Sequence, residues 1–592
     1  MSKTNDFVIQ VATVNGSGSQ SANNILVRAL FRSGIAVGGK NLFPSNIQGL
    51  PTWFTIRASQ KGFTSRRSHP DIFMAMNSQT VAQDLAALRP EGFFFYNSEF
   101  KSLANRPDVV MVPIPFREIV EPVAKSIKLR KFLSNMVYVG VLSELLALDE
   151  KILNGAMEHQ FQGKLDVLEV NAQAVMAGRT YAKEHLSQLR FPFLAQIVPG
   201  ANDGKILIDG NAAAAIGLLY GGCSFVSWYP ITPSTSLVET FVELADEYRI
   251  DRDGKRTFGV VQAEDELAAI SMVLGAGWMG ARAMTATSGP GISLMSEAAG
   301  LAYYAEIPSV IWDVQRVGPS TGLPTRTMQG DLLSSYHLSH GDAKHVTLLP
   351  GSAEECFEFG QTAFDLAERL QTLVLVLSDL DLGMNFHIAK KFGAGKSFDR
   401  GKVLTAKDLE KTKTFARYKD IDGDGIPYRT LPGTEHPLAA YFTRGTGHDE
   451  DGRYTEDAPT FKKNLDRLDK KWETAKKLMP APVVKTEAGA KVGLLAFGST
   501  HEAIEEIRSL LLDRGTKTNY CRILALPMSD DVTKFIASND KVYVIEQNRD
   551  GQMLLILRSE FPELAGRVHS IRVYDGLPIS GEEVAKMILE AQ

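Results

Sequence analysis

Two clusters of functional side chains follow predicted strands near the middle of the chain. The first is the run Tyr229 to Thr235, Tyr-Pro-Ile-Thr-Pro-Ser-Thr, which comes after an apolar strand. Pro230 and Pro233 fix φ on either side of Thr232, so a rigid turn presents the Thr232 hydroxyl. The second is the acidic run Glu264 to Glu266 at the end of a later strand. Open α/β sheets bind ligands at the carboxyl ends of their strands. The clusters therefore predict one site with a hydroxyl and a carboxylate side by side.

Glu266 begins a predicted helix whose next residues, Leu-Ala-Ala-Ile-Ser-Met-Val-Leu-Gly-Ala, are almost all apolar. A carboxylate at the start of a buried helix is costly unless it has a partner. In enzymes that use thiamine diphosphate, that partner is the aminopyrimidine ring of the cofactor, and the protein orients a cofactor that acts as electron sink. The two clusters thus supply what half of such a site requires. The alternative is that one of the three acids is only a helix-start carboxylate favoured by the helix dipole.

The second half of a thiamine diphosphate site is not evident. Thiamine enzymes bind the Mg²⁺-diphosphate through Gly-Asp-Gly followed by an asparagine, but residues 447 to 454, where it would follow Gly423-Asp424-Gly425, contain no asparagine. The same segment resembles a calcium loop, yet its twelfth position is Leu431 and not glutamate. We interpret it as a surface turn. Three histidines between residues 337 and 345 lack a cysteine or carboxylate that would complete a metal site, so we predict no metal ligands in this chain.

Cys223, Cys356 and Cys521 are isolated from one another in the sequence. An iron–sulfur cluster needs about four thiolates, so this chain cannot hold one alone. Three scattered thiols also favour a reducing compartment over a disulfide framework. Any electron-transfer cluster is expected in another chain.

Length and composition indicate a multidomain protein. The 592 residues predict roughly three or four domains, and 44% hydrophobic with 22% charged residues is typical of α/β proteins. The net charge of -5 gives no reason to expect a nucleic acid partner. The N-terminus lacks a secretory signal and no apolar run reaches the ~18 residues that span a bilayer. We expect a cytoplasmic protein with no membrane partner.

Pattern divides the chain into five segments. Residues 1–190 form an α/β domain, and residues 191–204 collect Pro, Gly and Asn, which indicates a linker. In residues 205–395 short apolar runs alternate with helical patterns, which predicts a doubly wound parallel sheet. Residues 396–485 are an irregular polar extension, and residues 486–592 return to strand–helix alternation. The predicted strands are residues 7–14, 225–228, 282–286, 309–314, 373–377, 492–497 and 542–546.

A glycine-rich turn, Gly16-Ser-Gly18-Ser-Gln-Ser21, follows the first strand and opens a helix, a position where backbone N–H groups bind phosphate. Ser21 replaces the third glycine of a dinucleotide fingerprint, and no acid that could bind a ribose occurs between Asp6 and Asp71. A polyanionic ligand or an acidic partner therefore fits this region better than NAD. The alternative is a solvated basic face beside a tight turn. The basic residues of this stretch are Arg28, Arg32, Lys40, Arg57, Lys61, Arg66 and Arg67.

The chain resembles the 2-oxoacid:ferredoxin oxidoreductases over nearly its full length. The Tyr229 turn is similar to the family's substrate turn. Residues 262–266, together with Leu274-Gly275-Ala276, resemble its aminopyrimidine-binding helix. The run Val314-Gln-Arg316 resembles its strand that ends in an arginine. Counted back from Gly275-Ala276, the family's essential glutamate falls on Glu266.

The resemblance also implies the roles of neighbouring residues. Thr232 and Arg316 would hold the carboxylate and keto group of the substrate, and an arginine can bind a carboxylate through two hydrogen bonds. A structural salt bridge is the alternative for Arg316. The resemblance places Tyr229, Pro230 and Ile231 beside the cofactor.

Further resemblances bear on substrate and domains. Residues 318–325, Gly-Pro-Ser-Thr-Gly-Leu-Pro-Thr, are similar to large subunits of 2-oxoglutarate-specific or broad-specificity members, which implies a substrate contact at Thr325. Residues 1–190 resemble the family's gamma subunit, which implies a coenzyme A contact at Gly16 and Gly18, although gamma subunits carry a fuller Gly-Gly-Gln-Gly turn. Residues 486–592 are similar to the C-terminal domain of transketolase.

Together these resemblances imply the large subunit of a 2-oxoglutarate:ferredoxin oxidoreductase. It would decarboxylate 2-oxoglutarate with coenzyme A to succinyl-CoA and CO₂, or run in reverse, and pass electrons to ferredoxin. A beta subunit would supply the Mg²⁺-diphosphate contacts and the [4Fe-4S] cluster, and two heterodimers would pair. The alternatives are a pyruvate or broad-specificity enzyme, a transketolase-like enzyme, an NAD-linked dehydrogenase, and a non-catalytic binding subunit.

Overall fold

The computed structural model describes residues 3–45, 49–101, 103–124 and 126–592. The predicted α/β class is confirmed, because mostly parallel sheets alternate with helices along the described chain. Cys223, Cys356 and Cys521 are buried free thiols. Among the residues described, no helix is both long and apolar enough to cross a membrane.

The N-terminal unit is built on β2, which is buried on both faces as its apolar sequence predicts. β2 pairs in parallel with β5 and antiparallel with β4, and α1, α4 and α6 cover the sheet. The two-residue strands β1 and β8 pair with each other, so the predicted linker is attached to the start of the chain. The strands are β1 (Lys3–Thr4), β2 (Phe7–Val14), β3 (Ala36–Leu42), β4 (Pro51–Ser59), β5 (Ile72–Ala75), β6 (Phe93–Asn97), β7 (Val110–Ile114) and β8 (Phe193–Leu194), and the helices are α1 (Ser19–Arg32), α2 (Val81–Ala87), α3 (Phe116–Val120), α4 (Ile127–Leu145), α5 (Glu150–Gln160) and α6 (Leu165–His185).

The middle unit contains the predicted parallel sheet. Its strands are β9 (Lys205–Asp209), β10 (Phe225–Trp228), β11 (Gly259–Gln262), β12 (Ala283–Thr287), β13 (Ser309–Gln315), β14 (Val346–Leu348), β15 (Leu373–Asp379) and β16 (Phe386–Lys390), and its helices are α7 (Gly210–Tyr220), α8 (Thr235–Tyr248), α9 (Glu266–Trp278), α10 (Gly289–Leu294), α11 (Ser296–Tyr304), α12 (Leu332–Tyr336), α13 (Ala353–Leu370) and α14 (Leu380–Met384). The order β11-β10-β12-β13-β15-β14 is parallel throughout, and each residue of β13 and β15 is buried. Such strands read as continuous apolar runs, which is why the sequence located them.

The C-terminal part begins with an irregular segment and continues as a third α/β unit. Its sheet has the order β17-β19-β18-β21-β22, with β17 antiparallel to the others. The predicted strands 492–497 and 542–546 are confirmed as β18 and β21, within one residue at each end. The helices are α15 (Ala406–Thr412), α16 (Ala458–Lys476), α17 (His501–Asp513), α18 (Asp530–Ala537), α19 (Gln552–Glu560) and α20 (Gly581–Ala591), and the strands are β17 (Val483–Lys485), β18 (Val492–Ala496), β19 (Thr518–Arg522), β20 (Ala525–Leu526), β21 (Lys541–Glu546) and β22 (Val568–Arg572).

Strands of one sequence segment complete the sheets of another. β9 and β16, the first and last strands of the middle segment, pair with each other, and β16 also pairs with β3. The eight-stranded sheet of the N-terminal unit therefore ends in two strands from the middle segment. Likewise, β20 of the C-terminal part pairs antiparallel with β14. The domain limits predicted from composition remain a prediction, and these strand exchanges show that the units share sheets.

Buried ion pairs join the N-terminal unit to the C-terminal unit. Arg57 on β4 makes two hydrogen bonds to Glu506 on α17, at 2.7 and 2.5 Å, and both side chains are almost fully buried. Arg66 pairs with Glu583 at 3.3 Å. The acidic partner predicted for the acid-free basic region is thus, for these residues, the C-terminal unit of the same chain.

Lys40 makes a second buried junction. Its ammonium group lies 2.8 Å from Asp381 and 2.5 Å from Glu502, so it joins the N-terminal sheet to α14 and α17 at once. Burial disfavours the charged amine, but Asp381 and Glu502 outweigh burial and hold the pKa of Lys40 above its ordinary value. A charge that is buried with two opposite charges stays ionised and fixes the position of its element.

We expect Glu506→Ala to destabilise the chain by about 3–5 kcal/mol, because it leaves the Arg57 guanidinium buried without its carboxylate. The neighbouring Glu505→Ala is the matched control. Glu505 pairs with Lys485 on the surface, and loss of an exposed pair costs about 0–1 kcal/mol. Urea unfolding followed by circular dichroism measures both variants. Equal shifts of the two urea unfolding midpoints would show that the buried pair contributes no more to stability than the exposed pair.

Candidate active site

The predicted hydroxyl turn lies directly after β10, at the carboxyl end of the parallel sheet. Side chains from two other elements hold its backbone. Asn211 on α7 donates to the Pro233 carbonyl at 2.9 Å, and Arg316 Nη1 donates to the Thr232 carbonyl at 2.7 Å. The Thr232 side chain is only half-buried, whereas Tyr229 is exposed. The turn is therefore fixed from behind while its hydroxyl side remains accessible.

The structure distinguishes the three acids that follow β11. Glu264 is exposed, and the Asp265 carboxylate caps α9 by accepting a hydrogen bond from the Ala268 N–H at 2.7 Å. Asp265 thus has the helix-capping role that was the alternative for this cluster. Glu266 is buried to 7% exposure, and its carboxylate makes no hydrogen bond or ion pair with any residue that the structure describes.

The surroundings of Glu266 are closely packed on one side. A Cβ on Gly291 would lie 3.0 Å from Glu266 Cγ and 1.9 Å from the Thr287 hydroxyl oxygen, so a larger residue at position 291 has no space. Glycine at the start of α10 therefore lets the Ser288–Gly291 loop approach the carboxylate. The result is a buried acid that packs closely against the start of α10.

Helix α9 differs from its sequence expectation. The apolar sequence predicts a helix buried on all sides, but only the face with Ala269, Ile270 and Val273 is buried. Leu267 is 48% and Met272 42% exposed, so an apolar strip of the helix is uncovered in the isolated chain. Because a continuous apolar sequence is typical of a helix with neighbours all round, this strip is a candidate subunit contact.

Arg316 follows β13 and reaches the hydroxyl turn, as the spacing of strand ends predicts. Its Nη1 is occupied by the Thr232 carbonyl, and its Nε is buried without a partner among the described residues. The guanidinium group therefore keeps N–H groups free for a ligand. Arg316 and Thr232 are in contact, and the salt bridge suggested as an alternative for Arg316 does not form with any described residue.

A cleft of about 610 Å³ opens between the middle and C-terminal units at Arg316. The first turns of α10 (Gly289, Pro290 and Ser293) and residues 316–320 form one side, and Asn548 to Asp550, Gln552 and Tyr574 form the other. Arg549 lies at its exposed edge and pairs with Asp550 at 2.7 Å. The cleft provides a concave polar site with a cation on each wall, which suits an anionic small molecule.

Two carboxyl groups lie behind Arg316, and one of them is completely buried while the other is half-buried. Asp313 on β13 is completely buried, and Asp331 at the start of α12 is within hydrogen-bonding reach of it. Burial and then the Asp331 carboxyl raise the pKa of Asp313 well above its usual range. Burial also raises the pKa of Asp331 to about 6. Sequence reasoning missed both residues, although an acid inside the apolar strand Ser309–Gln315 was a signal for Asp313.

Thr325 lies in the loop that returns from Arg316 towards the N-terminal unit. Its hydroxyl and carbonyl accept hydrogen bonds from Arg326 Nη1, at 3.3 and 2.9 Å, and the same nitrogen donates to the Phe43 carbonyl at 2.8 Å. Thr325 is 6% exposed, and it does not line the cleft at Arg316. The structure therefore brings Thr232, Arg316 and the loop before Thr325 together. The hydrogen bond from Arg326 to the Phe43 carbonyl attaches that loop to the N-terminal unit.

The glycine-rich turn lines a separate cleft of about 560 Å³ in the N-terminal unit. Gly16 and Gly18 both have positive φ, and Gly18 is the residue before α1. A side chain on Gly18 would meet the Phe132 ring at 2.9 Å. Phe43 forms another wall, so the Arg326 contact joins this cleft to the loop that follows Arg316.

The Gly423–Gly425 turn has structural partners of its own. Asp424 accepts hydrogen bonds from Lys402 at 2.8 Å and from the Ile426 N–H at 2.9 Å. A Cβ on Gly425 would lie 2.4 Å from the Lys471 nitrogen on α16. These contacts agree with the interpretation of this segment as a turn.

Comparison with known proteins shows the class to which this fold and site correspond. The family described as "Pyruvate flavodoxin/ferredoxin oxidoreductase, thiamine diP-bdg" matches residues 216–391, and "Pyruvate ferredoxin/flavodoxin oxidoreductase" matches residues 8–181. The middle unit is therefore of the thiamine diphosphate-binding type, in an oxidoreductase.

Full-length relatives define the family. The 2-oxoacid:ferredoxin oxidoreductase subunit alpha of Saccharolobus solfataricus is 30% identical over 98% of this chain and 96% of its own length. The 2-oxoglutarate synthase subunit KorA of Archaeoglobus fulgidus is 34% identical over 59% of this chain and 89% of its own. A solved 2-oxoglutarate:ferredoxin oxidoreductase from Magnetococcus marinus, with 2-oxoglutarate, coenzyme A and succinyl-CoA bound, matches with TM-score 0.88 and 30% identity over 99% of this chain and 100% of that one. The chain belongs to the 2-oxoacid:ferredoxin oxidoreductases, as a large subunit.

Proposed function

We propose that this chain is the large subunit of a 2-oxoglutarate:ferredoxin oxidoreductase. The complex converts 2-oxoglutarate and coenzyme A to succinyl-CoA and CO₂, transfers two electrons to ferredoxin, and can catalyse the reverse carboxylation. The observation that carries the proposal is the buried Glu266 carboxylate, which has no partner among the described residues and lies on the same sheet edge as the Arg316–Thr232 contact.

The Glu266 carboxylate fits the aminopyrimidine ring of thiamine diphosphate. It is buried, has no partner among the described residues and packs against Gly291. When bound, the cofactor supplies an electron sink for breaking the bond to the substrate carboxylate. Glu266 would hold the ring through its carboxyl group, and Tyr229, Pro230 and Ile231 would form the adjoining wall. A buried acid with one polar partner is stable only when that partner is present.

Arg316 and Thr232 orient the 2-oxoacid. The Thr232 carbonyl fixes Arg316 Nη1, so the remaining guanidinium N–H groups face the cleft in one orientation. They donate to the substrate carboxylate, and the Thr232 hydroxyl donates to the carboxylate or keto oxygen. A preorganised arginine loses little freedom on binding, which favours a planar anionic group over a neutral one. Thr325 supports the loop from behind through Arg326.

The beta subunit would complete the site. We propose that it covers the exposed strip of α9, supplies the Mg²⁺-diphosphate contacts and carries the [4Fe-4S] cluster that reduces ferredoxin. Leu267 and Met272 place apolar surface next to Glu266, so a subunit bound there would also exclude water from the carboxylate. Two such heterodimers would form a heterotetramer in the cytoplasm.

Coenzyme A is assigned to the cleft at Gly16 and Gly18. The start of α1 presents backbone N–H groups and the positive end of a helix dipole, which suit phosphate. The solved relative contains coenzyme A, which supports a binding site in this architecture. Arg326 connects the wall of this cleft to the substrate loop, so a ligand bound in one cleft would affect binding in the other.

The choice of 2-oxoglutarate rests on the similar loop of residues 318–325 and on the relatives named for that substrate. Pyruvate and other 2-oxoacids are the competing substrates. The complex, purified without oxygen with its native partner, should reduce a low-potential dye only with coenzyme A. The rate should be greatest with 2-oxoglutarate in a panel of 2-oxoacids. A higher kcat/KM for pyruvate would assign the chain to the pyruvate branch, and no activity with any 2-oxoacid would refute the proposal.

Glu266→Ala should lower kcat by about 10²–10⁴-fold, because a proton-transferring group is lost. Glu264→Ala is the matched control, since Glu264 is exposed and two residues away. The dye assay should show unchanged turnover for Glu264→Ala, and gel filtration should show an intact heteromer for both. Normal turnover of Glu266→Ala would exclude the role assigned to Glu266.

Arg316→Ala should reduce kcat/KM for the 2-oxoacid by about 10²-fold or more, since loss of a charge-assisted contact to a buried carboxylate costs about 2–5 kcal/mol. KM for coenzyme A should change little, because that molecule is assigned to another cleft. Arg256→Ala, which removes an exposed arginine paired with Asp246 on the same unit, is the control. A loss of heteromer with normal KM in the remaining complex would make Arg316 a structural residue.

A further inference from the structure

The carboxyl pair Asp313–Asp331 has no structural task that explains its burial. Asp313 is fully buried on a strand whose other members are mainly apolar, and neither of its carboxylate oxygens receives a hydrogen bond from a donor among the described residues. The Asp331 carboxyl is its acidic neighbour, and the Oδ2 atom of Asp331 is likewise shielded and without a donor among the described residues. Two neighbouring carboxylates that are both ionised repel, so one shared proton stabilises the pair.

The pair is fixed in relation to Arg316. The Asp331 backbone N–H donates to Gln315 Oε1 at 3.1 Å, and Gln315 immediately precedes Arg316. Asp331 also lines the same cleft as Arg316, and its carboxylate packs against Gly289. Arg316 is the cation that acts on both carboxyl groups. A change of charge on Asp331 therefore changes the affinity of Arg316 for an anion.

We propose that Asp313 and Asp331 are positioning residues that act as a proton-holding pair and couple binding of the substrate carboxylate at Arg316 to uptake of one proton. In the free site the pair holds one proton and one negative charge, which balances Arg316. When a 2-oxoacid carboxylate takes the place next to Arg316, the second buried anion is disfavoured. One proton then moves from solvent to the Asp331 carboxylate, and the pair becomes neutral. This inference rests on the proposed function for the identity of the anion.

The charged groups around the pair allow this assignment. Arg316 from the end of β13 is the near cation, and Arg549, Asp550 and Tyr574 line the cleft from the C-terminal unit. Arg549 and Asp550 are exposed and paired with each other, so they offset one another at the cleft edge. Asp331 is half-buried, with its Oδ2 shielded from solvent, and among the residues that the structure describes it is the acid in this cleft that acts on Arg316.

The proton-holding property can be tested without substrate. An acid whose pKa is raised on folding, from 3.8 to about 6 for Asp331, makes the folded state bind more protons than the unfolded state. Its contribution to stability is greatest below pH ~4 and is lost as pH rises through ~6. Asp331→Asn removes this dependence. The difference in Tm between Asp331→Asn and the parent chain should therefore increase in favour of the variant from pH 4 to pH 7. Asp513→Asn, at an exposed helix end, is the control, and its difference in Tm from the parent chain should be the same at every pH.

The coupling to substrate is tested in the complete heteromer. KM for the 2-oxoacid should rise with pH above ~6 by up to tenfold per unit, because binding takes up one proton. In Asp331→Asn the KM should be independent of pH over that range. In Asp313→Asn the rise should begin at lower pH, since the amide donates to an ionised Asp331. An equal pH slope in the parent and in Asp331→Asn would overturn the proposal.

The two measurements separate the proposals. If the Tm difference changes with pH but no 2-oxoacid is turned over, the proposed function fails and the carboxyl pair stands. If the Tm difference is the same at every pH, the pair holds no proton and the inference fails whatever the activity. A variant with reduced heteromer yield is still informative, because the Tm measurement uses the full chain alone.

Discussion

The arrangement of this protein depends on cations of the N-terminal unit that are buried against acids of the other two units. Arg57 with Glu506, and Lys40 with Asp381 and Glu502, carry almost fully buried charges. Buried ion pairs contribute little net stability against an apolar contact of the same shape, but a partner lost from one of them is very costly. They therefore specify a single relative position of the units instead of many similar ones. The acid-free sequence between Asp6 and Asp71 follows from this, because an acid within the same stretch would offer these cations a wrong partner.

That fixed position sets the geometry of the candidate site. The loop from Arg316 to Asp331 runs between units, and it is bonded to each of them. Arg326 donates to Phe43 of the N-terminal unit, and Gln329 donates to the Phe497 carbonyl of the C-terminal unit at 3.1 Å. Asn548 in turn donates to the Gln329 carbonyl at 3.1 Å. Arg316 itself is held by the turn after β10. A rotation of either outer unit would therefore displace the loop that carries Asp331, and the cleft at Arg316 would change with it.

The sequence predicted what periodicity and local chemistry encode. The strands β10, β12, β13 and β15 were located within two residues at each end, because a strand buried on both faces is a continuous apolar run. The Tyr229 turn and the start of α9 followed from proline positions and from a charge next to an apolar helix. What could not be predicted depends on contacts between distant segments: β16 pairs with β3, β20 pairs with β14, and Asp331 faces Asp313. No local pattern signals these pairings. Asp313 was also missed, although an acid in an apolar strand requires a partner. The exposed side of α9 was also hidden, because an apolar sequence does not tell which neighbour is in another chain.

The candidate site holds charged groups that lack partners among the residues that the structure describes. Glu266 is buried without a described partner, Arg316 keeps an unpaired Nε, and Asp313 has only another acid beside it. Each arrangement is unfavourable in the isolated chain, and the ion pairs between the units are strong enough to hold it. A ligand that brings a carboxylate and a ring nitrogen satisfies the first two at once. The Asp313–Asp331 pair would then take up a proton, because an anion beside Arg316 offsets the positive charge that keeps Asp331 ionised. The groups at the strand ends that lack partners are thus the ones that the proposed ligands would satisfy.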